Sequence, residues 1–275
     1  MTFICRWPDR PWLAGFDPAL ASSVAELPIL DFLECANQRA AMQRQCTGHG
    51  QPVRFVPQTS AFTAADYERG IAQTGEIPTR DNLHDRYNAL VWLTFPETKA
   101  WLNRQQVAAM GRGAASQGRG RQRDALTIWD ENLAVLVLPP GEAAAIRQYF
   151  ARHEWQEIFL TRRGYWQQDW QVHLFGHALL EKLAAPFKAI TAHLIVLARP
   201  EGGDTNQQHR AAIDRALVPH LQALTDPAVF LHLPVMGIPG WDPANHDPTF
   251  YSDAAVFRPQ RTPERGERGG VSAVV

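Results

Sequence analysis

The sequence predicts an α+β fold: a helix-rich single domain with a small mixed or antiparallel sheet. Several segments repeat apolar residues at helical spacing, and a few short apolar runs bounded by Pro or Gly are typical of strands. The chain of 275 residues is 45% hydrophobic and 20% charged, which is the balance of a globular protein. We expect an extended N-terminal arm at residues 1–20, the α+β domain at 21–259 and a disordered tail at 260–275.

The first half of the chain is predicted to consist mainly of helices. Three prolines disfavour a helix in the N-terminal arm. Thr63 is placed to cap a helix that Gly75 ends, and Pro96 is placed to open another helix. The predicted elements are helices over residues 28–46, 63–75, 81–94 and 96–110, and a short strand that follows a turn within residues 48–58.

The second half is predicted to alternate helices with strands. Glycines make residues 111–123 a predicted loop, because glycine weakens a helix interior. Residues 125–140 are typical of a hairpin whose turn is formed by Asp130, Glu131 and Asn132. The remaining predictions are helices at 141–155, 169–184 and 206–224, strands at 157–161 and 189–199, and an aromatic segment at 236–259 that packs against the domain.

Charge and cysteine content limit the classes of function. The formal net charge is −1, so the whole molecule has no field that attracts nucleic acid or a membrane. The three cysteines, Cys5, Cys35 and Cys46, form no CxxC pair, which indicates a reducing compartment and no zinc ribbon. No stretch approaches about 18 apolar residues and the N-terminus lacks a signal-peptide pattern, so we expect a cytoplasmic protein without a membrane span.

A group of polar residues interrupts the otherwise apolar helix predicted over residues 81–94. His84, Asn88 and Trp92 are spaced four residues apart and share one face, and Asp85 follows His84 directly. An imidazole beside a carboxylate can bind a metal or act as a base that the carboxylate orients. Alternatively, Asp85 is present because carboxylates favour a helix N-terminus, and His84 hydrogen-bonds a neighbouring carbonyl group.

A second polar group lies in the helix predicted from the segment DWQVHLFGHALLEKLA. His173, His177 and Glu181 share one face of that helix, and a His and a Glu one turn apart can bind one divalent ion. Gly176 allows another element to approach closely. The alternative is an amphipathic helix with a polar edge. His193 lies in an apolar strand, where a satisfied core histidine is the usual interpretation.

Carboxylates also flank the strand predicted after the glycine-rich loop. Asp124 precedes this strand, and Asp130 with Glu131 follows it. Carboxylates at strand ends are common metal-binding and acid/base positions, and they are equally common turn residues.

The predicted loop at 111–123 carries the one concentrated positive patch of the sequence. Its arginines are Arg112, Arg119, Arg121 and Arg123. Flexible backbone N–H groups and guanidinium groups suit phosphate. The alternative is a solvated loop, because Arg-Gly composition is a weak signal by itself.

Four blocks of the sequence resemble a bacterial family known as a domain of unknown function, DUF 3025. The blocks are IPTRDNLHDRYNALVWLTFPETKAWLN, RDALTIWDEN, FGHALLEKL and FYSDAAVFRP, within roughly residues 50 to 260. The resemblance implies a soluble bacterial protein and brings no activity with it. Common catalytic motifs such as GxxxxGK[ST], GxGxxG, GxSxG and HExxH are absent. Because the blocks coincide with the polar groups, we expect those groups to converge.

Our leading hypothesis is a metal-dependent hydrolase that uses a divalent metal ion and acts on a phosphate-containing or nucleic-acid-like substrate. The predicted metal ligands are His84, His177, Glu181 and Asp130, the predicted catalytic residues are Asp85, Glu131, Asn88 and Asp124, and the predicted substrate contacts are Lys99, Arg121, Arg123 and Trp92. Nitrogens of His84 and His177 within about 5 Å of each other favour a shared ion, and a separation beyond roughly 10 Å excludes it.

Two alternatives remain open from the sequence. One is a non-catalytic protein that binds RNA or another anion through loop 111–123, with the His, Asp and Glu side chains as a structural network. The other is an enzyme without a metal, in which His84 is a general base oriented by Asp85.

Overall fold

The computed structural model describes residues 10–59, 63–111, 118–202, 205–223 and 230–260. Its helices are α1 (Pro18–Glu26), α2 (Ile29–Met42), α3 (Ala64–Thr74), α4 (Leu83–Thr94), α5 (Pro96–Gly111), α6 (Gly118–Asn132), α7 (Ala143–Ala151), α8 (Tyr165–Gln168), α9 (His177–Lys182) and α10 (Asn206–Ala223). Its strands are β1 (Arg54–Pro57), β2 (Glu76–Thr79), β3 (Leu133–Leu138), β4 (Gln171–Leu174), β5 (Thr191–Ala198) and β6 (Leu231–Pro234).

A mixed four-stranded sheet forms the centre of the described fold, with the strand order β4-β3-β5-β6. β3 runs parallel to β5 and antiparallel to β4, and β5 runs antiparallel to β6. All residues of β3 are buried, which explains its continuous apolar sequence. A separate parallel pair joins β1 and β2. The predicted α+β class with a small mixed sheet is therefore confirmed.

The predicted ends of several helices are confirmed by their capping contacts. The Thr63 side chain accepts the N–H of Asp66 at the start of α3, and Gly75 ends that helix with φ of 75°. Helix α5 begins at Pro96, and the carboxylate of Asp214 on α10 accepts its first free N–H groups, those of Glu97 and Thr98. The long helix α10 thus helps to hold α5 in place.

The hairpin predicted over residues 125–140 is wrong in its first half. Residues 118–132 form helix α6, and the strand begins only at Leu133. Ala125, Leu126 and Trp129 recur at helical spacing and are buried, so packing outweighs the weak helix propensity of the glycines. The predicted loop at 111–123 is likewise wrong for residues 118–123, and residues 112–117 lie outside the described residues.

Two further predictions in this half are corrected. Residues 169–184 form strand β4 and helix α9 rather than one helix, because Gly176 interrupts the segment where it passes the backbone of Asn132. A Cβ atom at Gly176 would lie 2.5 Å from the Asn132 nitrogen, so the close approach expected of this glycine is confirmed. The strand predicted at 157–161 is a π-helical turn that buries Ile158 and Phe159.

Of the two ends of the chain, the N-terminal one differs from the prediction. Residues 10–20, expected as an extended arm, form a 3-10 turn at Pro11–Leu13 and the start of α1, because Pro11 and Pro18 occupy first helical positions, where proline is tolerated. Trp12 and Phe16 are buried in the core. The aromatic segment 236–259 packs against the domain, as predicted. Residues 1–9 and the predicted tail after residue 260 lie outside the described residues.

The helices around the sheet position the polar groups. Helix α4 packs against α9, and α9 packs against α6, while α3 packs against α5. No helix among the described residues combines the length and the apolar character that crossing a membrane requires.

Candidate metal centre

A cleft of about 330 Å³ opens where α3, α4, α5, α6 and α9 meet. Its described lining holds four carboxylates, two imidazoles and two guanidinium groups, which are Glu68, Asp85, Asp130, Glu131, His84, His177, Arg80 and Arg123. The side chains from α4 and α9, separated by about ninety residues in the sequence, therefore share one cleft.

Three of these side chains, His84, Glu131 and His177, form a compact cluster where α4 and α9 begin and α6 ends. Nε2 of His84 lies 3.1 Å from Nε2 of His177, and Nε2 of His177 lies 3.3 Å from Oε2 of Glu131. One ligand atom from each residue can be chosen so that all lie within 4.8 Å of one another. Metal bonds of about 2.0–2.1 Å in a tetrahedral site place neighbouring ligand atoms about 3.3 Å apart. The distances from Nε2 of His177 to the other two ligand atoms thus match those between ligands around one ion.

Two further carboxylates face the outer nitrogens of the imidazoles. Oε2 of Glu181 lies 2.9 Å from Nδ1 of His84, and Oδ1 of Asp130 lies 4.0 Å from Nδ1 of His177. A proton on Nδ1 of His84, donated to Glu181, leaves the Nε2 lone pair facing His177. This arrangement of a carboxylate behind a histidine is usual around metal sites. The structure places Glu181 and Asp130 outside the cluster, and it places Glu131, predicted as catalytic, inside it.

His177 is held in the neutral form that binds metals. Only 4% of the residue is exposed. Burial lowers the pKa of His177 to about 3, with contributions from Lys99 and His84, and the nearby Asp130 only partly opposes this. A neutral imidazole presents a lone pair on one nitrogen at neutral pH.

Lys99 stabilises the cluster from within the protein and does not face the cleft. Its Nζ donates to Oδ1 of Asp130 and to Oδ1 of Asn88, the latter at 2.8 Å. Burial raises the pKa of Asp130, but Lys99 and then His177 outweigh it, so the pKa lies below its usual value. Asn88 in turn donates to the Tyr67 hydroxyl at 3.1 Å. Trp92 is 2% exposed and lies against the Lys99 ammonium. Of the four predicted substrate contacts, these two therefore do not line the cleft.

Asp85 has a structural role at the start of α4. Its oxygens accept the Nη2 and Nε donors of Arg80 at 2.8 and 2.9 Å and the Arg80 backbone N–H at 2.7 Å. Its own N–H donates to the Asn82 side chain at 2.8 Å, which caps the helix. The carboxylate beside His84 is therefore that of Glu181, so the predicted pair of His84 with Asp85 is not formed.

The remaining predicted residues lie at or beyond the rim. Arg123 lines the cleft, whereas Arg121 and Asp124 are exposed on α6 and are absent from its described lining. His173 lies on β4 and His193 on β5, outside the cluster. The predicted alignment of His173 with His177 fails because the two lie in different elements.

Glu68 and Tyr67 on α3 also line the cleft, and neither was predicted from the sequence. Nδ2 of Asn103 donates to Glu68 at 2.7 Å. Burial raises the pKa of Glu68 to about 7, Asp130 adds to this, and Asn103 and Lys99 oppose it. Burial also raises the pKa of Tyr67. A signal was present, because Glu68 shares a helix face with the apolar Ile71.

If the cluster binds Zn²⁺, Glu181→Gln should weaken that binding by about 10- to 100-fold, because the amide orients His84 less strongly than a carboxylate. The matched variant Asp85→Asn should leave the affinity within about 3-fold and instead lower the free energy of unfolding by about 1 kcal/mol, through loss of the Arg80 contacts. Competition with a fluorescent zinc chelator and urea denaturation measure the two effects. Equal losses of affinity in both variants would show that Glu181 has no special role.

The comparisons with known proteins name a family and no activity. No curated protein and no solved structure gives a significant match to the chain. Residues 53–261, about three quarters of the sequence, match the family described as "Protein of unknown function (DUF3025)". The chain therefore belongs to the DUF3025 family.

Proposed function

We propose that this protein is a metal-dependent hydrolase whose ion is bound by His84, His177 and Glu131. The observation that carries the proposal is the convergence of two imidazole nitrogens and one carboxylate oxygen at ligand spacing inside an open cleft. Catalytic zinc sites use three protein ligands of this kind and keep a position open for water.

The donor set favours a borderline ion such as Zn²⁺ over Mg²⁺ or Ca²⁺, because two of the three donors are imidazoles. Such an ion lowers the pKa of a bound water towards neutrality and polarises a carbonyl or phosphoryl oxygen. Glu181 orients His84 through its 2.9 Å contact with Nδ1, Asp130 lies 4.0 Å from Nδ1 of His177, and Lys99 holds Asp130 ionised. Each of these contacts serves the same centre.

Glu68 supplies a group for proton transfer in the same cleft. Its pKa of about 7 allows it to accept and donate a proton near neutral pH. The Tyr67 hydroxyl beside it is fixed by Asn88. These side chains give the α3 wall of the cleft both an acid/base group and a hydrogen-bonding group for a substrate.

The charge of the cleft favours a small substrate over a polymer. Its described lining carries more carboxylates than guanidinium groups, and Arg80 is already engaged by Asp85. An extended polyanion such as nucleic acid would be repelled by this surface. We propose a small molecule that presents one phosphoryl or acyl group to the ion, with Arg123 at the rim. The alternative of RNA binding rests on loop 111–123, of which residues 112–117 lie outside the described residues.

Metal-stripped protein should hydrolyse at least one of bis(p-nitrophenyl) phosphate, p-nitrophenyl phosphate and p-nitrophenyl acetate after addition of Zn²⁺, Mn²⁺ or Co²⁺. Glu131→Gln should lower that rate by about 100-fold or more, because an amide is a poor metal ligand. Asp124→Asn, at an exposed position outside the cleft, is the control and should retain the rate. Metal binding without hydrolysis of any of the three would indicate a non-catalytic metal centre, and the absence of both would contradict the proposal.

A further inference from the structure

A second cavity of about 400 Å³ lies on another part of the molecule and shares no described lining residue with the metal cleft. It is bordered by the segment before α1, by β4, by the start of α10 and by the C-terminal segment. Four buried aromatic rings, those of Phe16, Trp166, Trp170 and Trp241, line it together with polar and small residues. Ligand sites in proteins have this size, with apolar walls and a few polar groups that fix the orientation of the ligand.

His173 supplies one of those polar groups. It is 7% exposed, and neither ring nitrogen has a hydrogen-bond partner among the described residues. Buried polar groups are nearly always satisfied, so an imidazole with both nitrogens unpaired calls for a functional explanation. Gly15 lies against this ring, since a Cβ atom there would be 3.0 Å from Nδ1. The glycine leaves room for the imidazole at the wall of the cavity.

The electrostatic character of this cavity is opposite to that of the metal cleft. Its described lining contains Arg210, His209 and His173 and no carboxylate. Nε2 of His209 is a second buried nitrogen without a partner among the described residues. Asp17, which lies nearby, is engaged by Arg39 at 2.9 Å. Burial lowers the pKa of His173 to about 4, with help from His209 and Arg210, so the ring is neutral and can donate one hydrogen bond.

The position of α10 adds to this preference for negative charge. His209 and Arg210 lie in the first turns of this helix of 18 residues, and Asn206, its first residue, also lines the cavity. The N-terminal end of a helix carries a partial positive charge that favours anions. Arg210, His209, His173 and the first residue of α10 therefore line a cavity that also contains four aromatic rings.

We propose that this cavity binds a small aromatic anion, a flat ring system held between the tryptophans with its carboxylate or sulfonate group directed to Arg210, His209 and His173. The site is independent of the proposed hydrolase centre and goes beyond it. It stands whether or not the cleft binds a metal, because the two sites share no lining residue.

Isothermal titration of the whole chain with 2-naphthoate, 2-naphthalenesulfonate and the neutral 2-naphthamide tests the proposal. We expect both anions to bind with one equivalent per chain, and 2-naphthamide to bind at least about 10-fold more weakly, because a charge-assisted hydrogen bond contributes more than a neutral one. Arg210→Gln and His173→Leu should each weaken binding of 2-naphthoate by about 10-fold.

Arg152→Gln is the matched control, because it removes an exposed cation that does not line the cavity. It should bind 2-naphthoate like the wild type. Arg210 is partly exposed, so its variant tests the proposal even if His173→Leu fails to fold. Absence of saturable binding, equal binding of 2-naphthamide, or binding unchanged in Arg210→Gln would each overturn the proposal.

Discussion

His177→Ala is expected to weaken Zn²⁺ binding by more than about 100-fold, because it removes a metal ligand. Loss of a residue that only hydrogen-bonds a metal ligand already weakens binding by up to about 100-fold. The nitrogen that it deletes is the central atom of the cluster, 3.1 Å from Nε2 of His84 and 3.3 Å from Oε2 of Glu131. Direct titration of metal-stripped protein, with competition against a chelator of known affinity, measures the loss.

The control for this substitution is His220→Ala. His220 lies on α10, outside the described lining of the cleft, and its Nδ1 contacts the carbonyl oxygen of Ala216 on the same helix. This variant should bind Zn²⁺ like the wild type. If His177→Ala also binds like the wild type, the cluster is not a metal centre. If the wild type binds no ion and His177→Ala only loses stability, the cluster is a structural network instead.

Lys99→Met is expected to lower the free energy of unfolding by about 3–5 kcal/mol at pH 7, because it leaves a buried carboxylate without its cation. The side chains of Lys99 and Asp130 are 4% and 13% exposed, so water compensates little for the lost contact. Lys99 also donates to Asn88, whose oxygen loses a partner in the variant. Urea denaturation measures the difference.

The loss of stability in Lys99→Met should depend on pH. The pKa of Asp130 is lowered in the folded wild type, so its contribution to stability is present at neutral pH and is lost as the pH falls through the folded-state pKa. In Lys99→Met, burial without the cation raises the pKa of Asp130, so the difference between the wild type and the variant should begin to shrink above about pH 4 and keep falling through the lowered pKa of the wild type. The double variant Lys99→Met/Asp130→Leu should recover most of the loss. A difference under about 1 kcal/mol at pH 7 would show that the pair is not a buried ion pair of this kind.

The convergence of α4 and α9 was the part of the site that the sequence could predict. His84 and His177 each interrupt an apolar pattern with a side chain suited to metal binding, and the 3.1 Å between their Nε2 atoms meets the distance set for a shared ion. Periodicity also found α3, α4, α5 and α10 with nearly correct ends, and Thr63, Gly75 and Pro96 mark the ends of α3 and the start of α5.

The parts that failed depend on packing that no local pattern records. α6 begins with glycines and was predicted as a loop, but burial of Trp129 and Leu126 holds it as a helix. Because of that error, the sequence did not reveal that Asp130 and Glu131 lie in the last turn of a helix. There Asp130 pairs with Lys99, whereas Glu131 belongs to the cluster with the two histidines. The position of Glu131 inside the cluster and of Glu181 behind His84 depends on how α6 and α9 are rotated, which spacing along one helix cannot specify.

Glu68 shows the same limit. Its pKa is raised by burial and by the proximity of Asp130, which is far away in the sequence, while the hydrogen bond from Asn103 on α5 opposes the rise. A carboxylate on an apolar helix face was visible in the sequence, but the identity of its neighbours was not. Tertiary contacts, rather than residue type, determine its chemistry.

The most direct test of the proposed metal centre is X-ray absorption at the zinc edge on wild-type protein loaded with Zn²⁺ and freed of excess ion. We expect about one equivalent of zinc per chain, coordinated by two imidazole nitrogens and carboxylate oxygen at about 2.0–2.1 Å. A protein that retains no zinc, or a bound ion whose spectrum contains no imidazole, would contradict it.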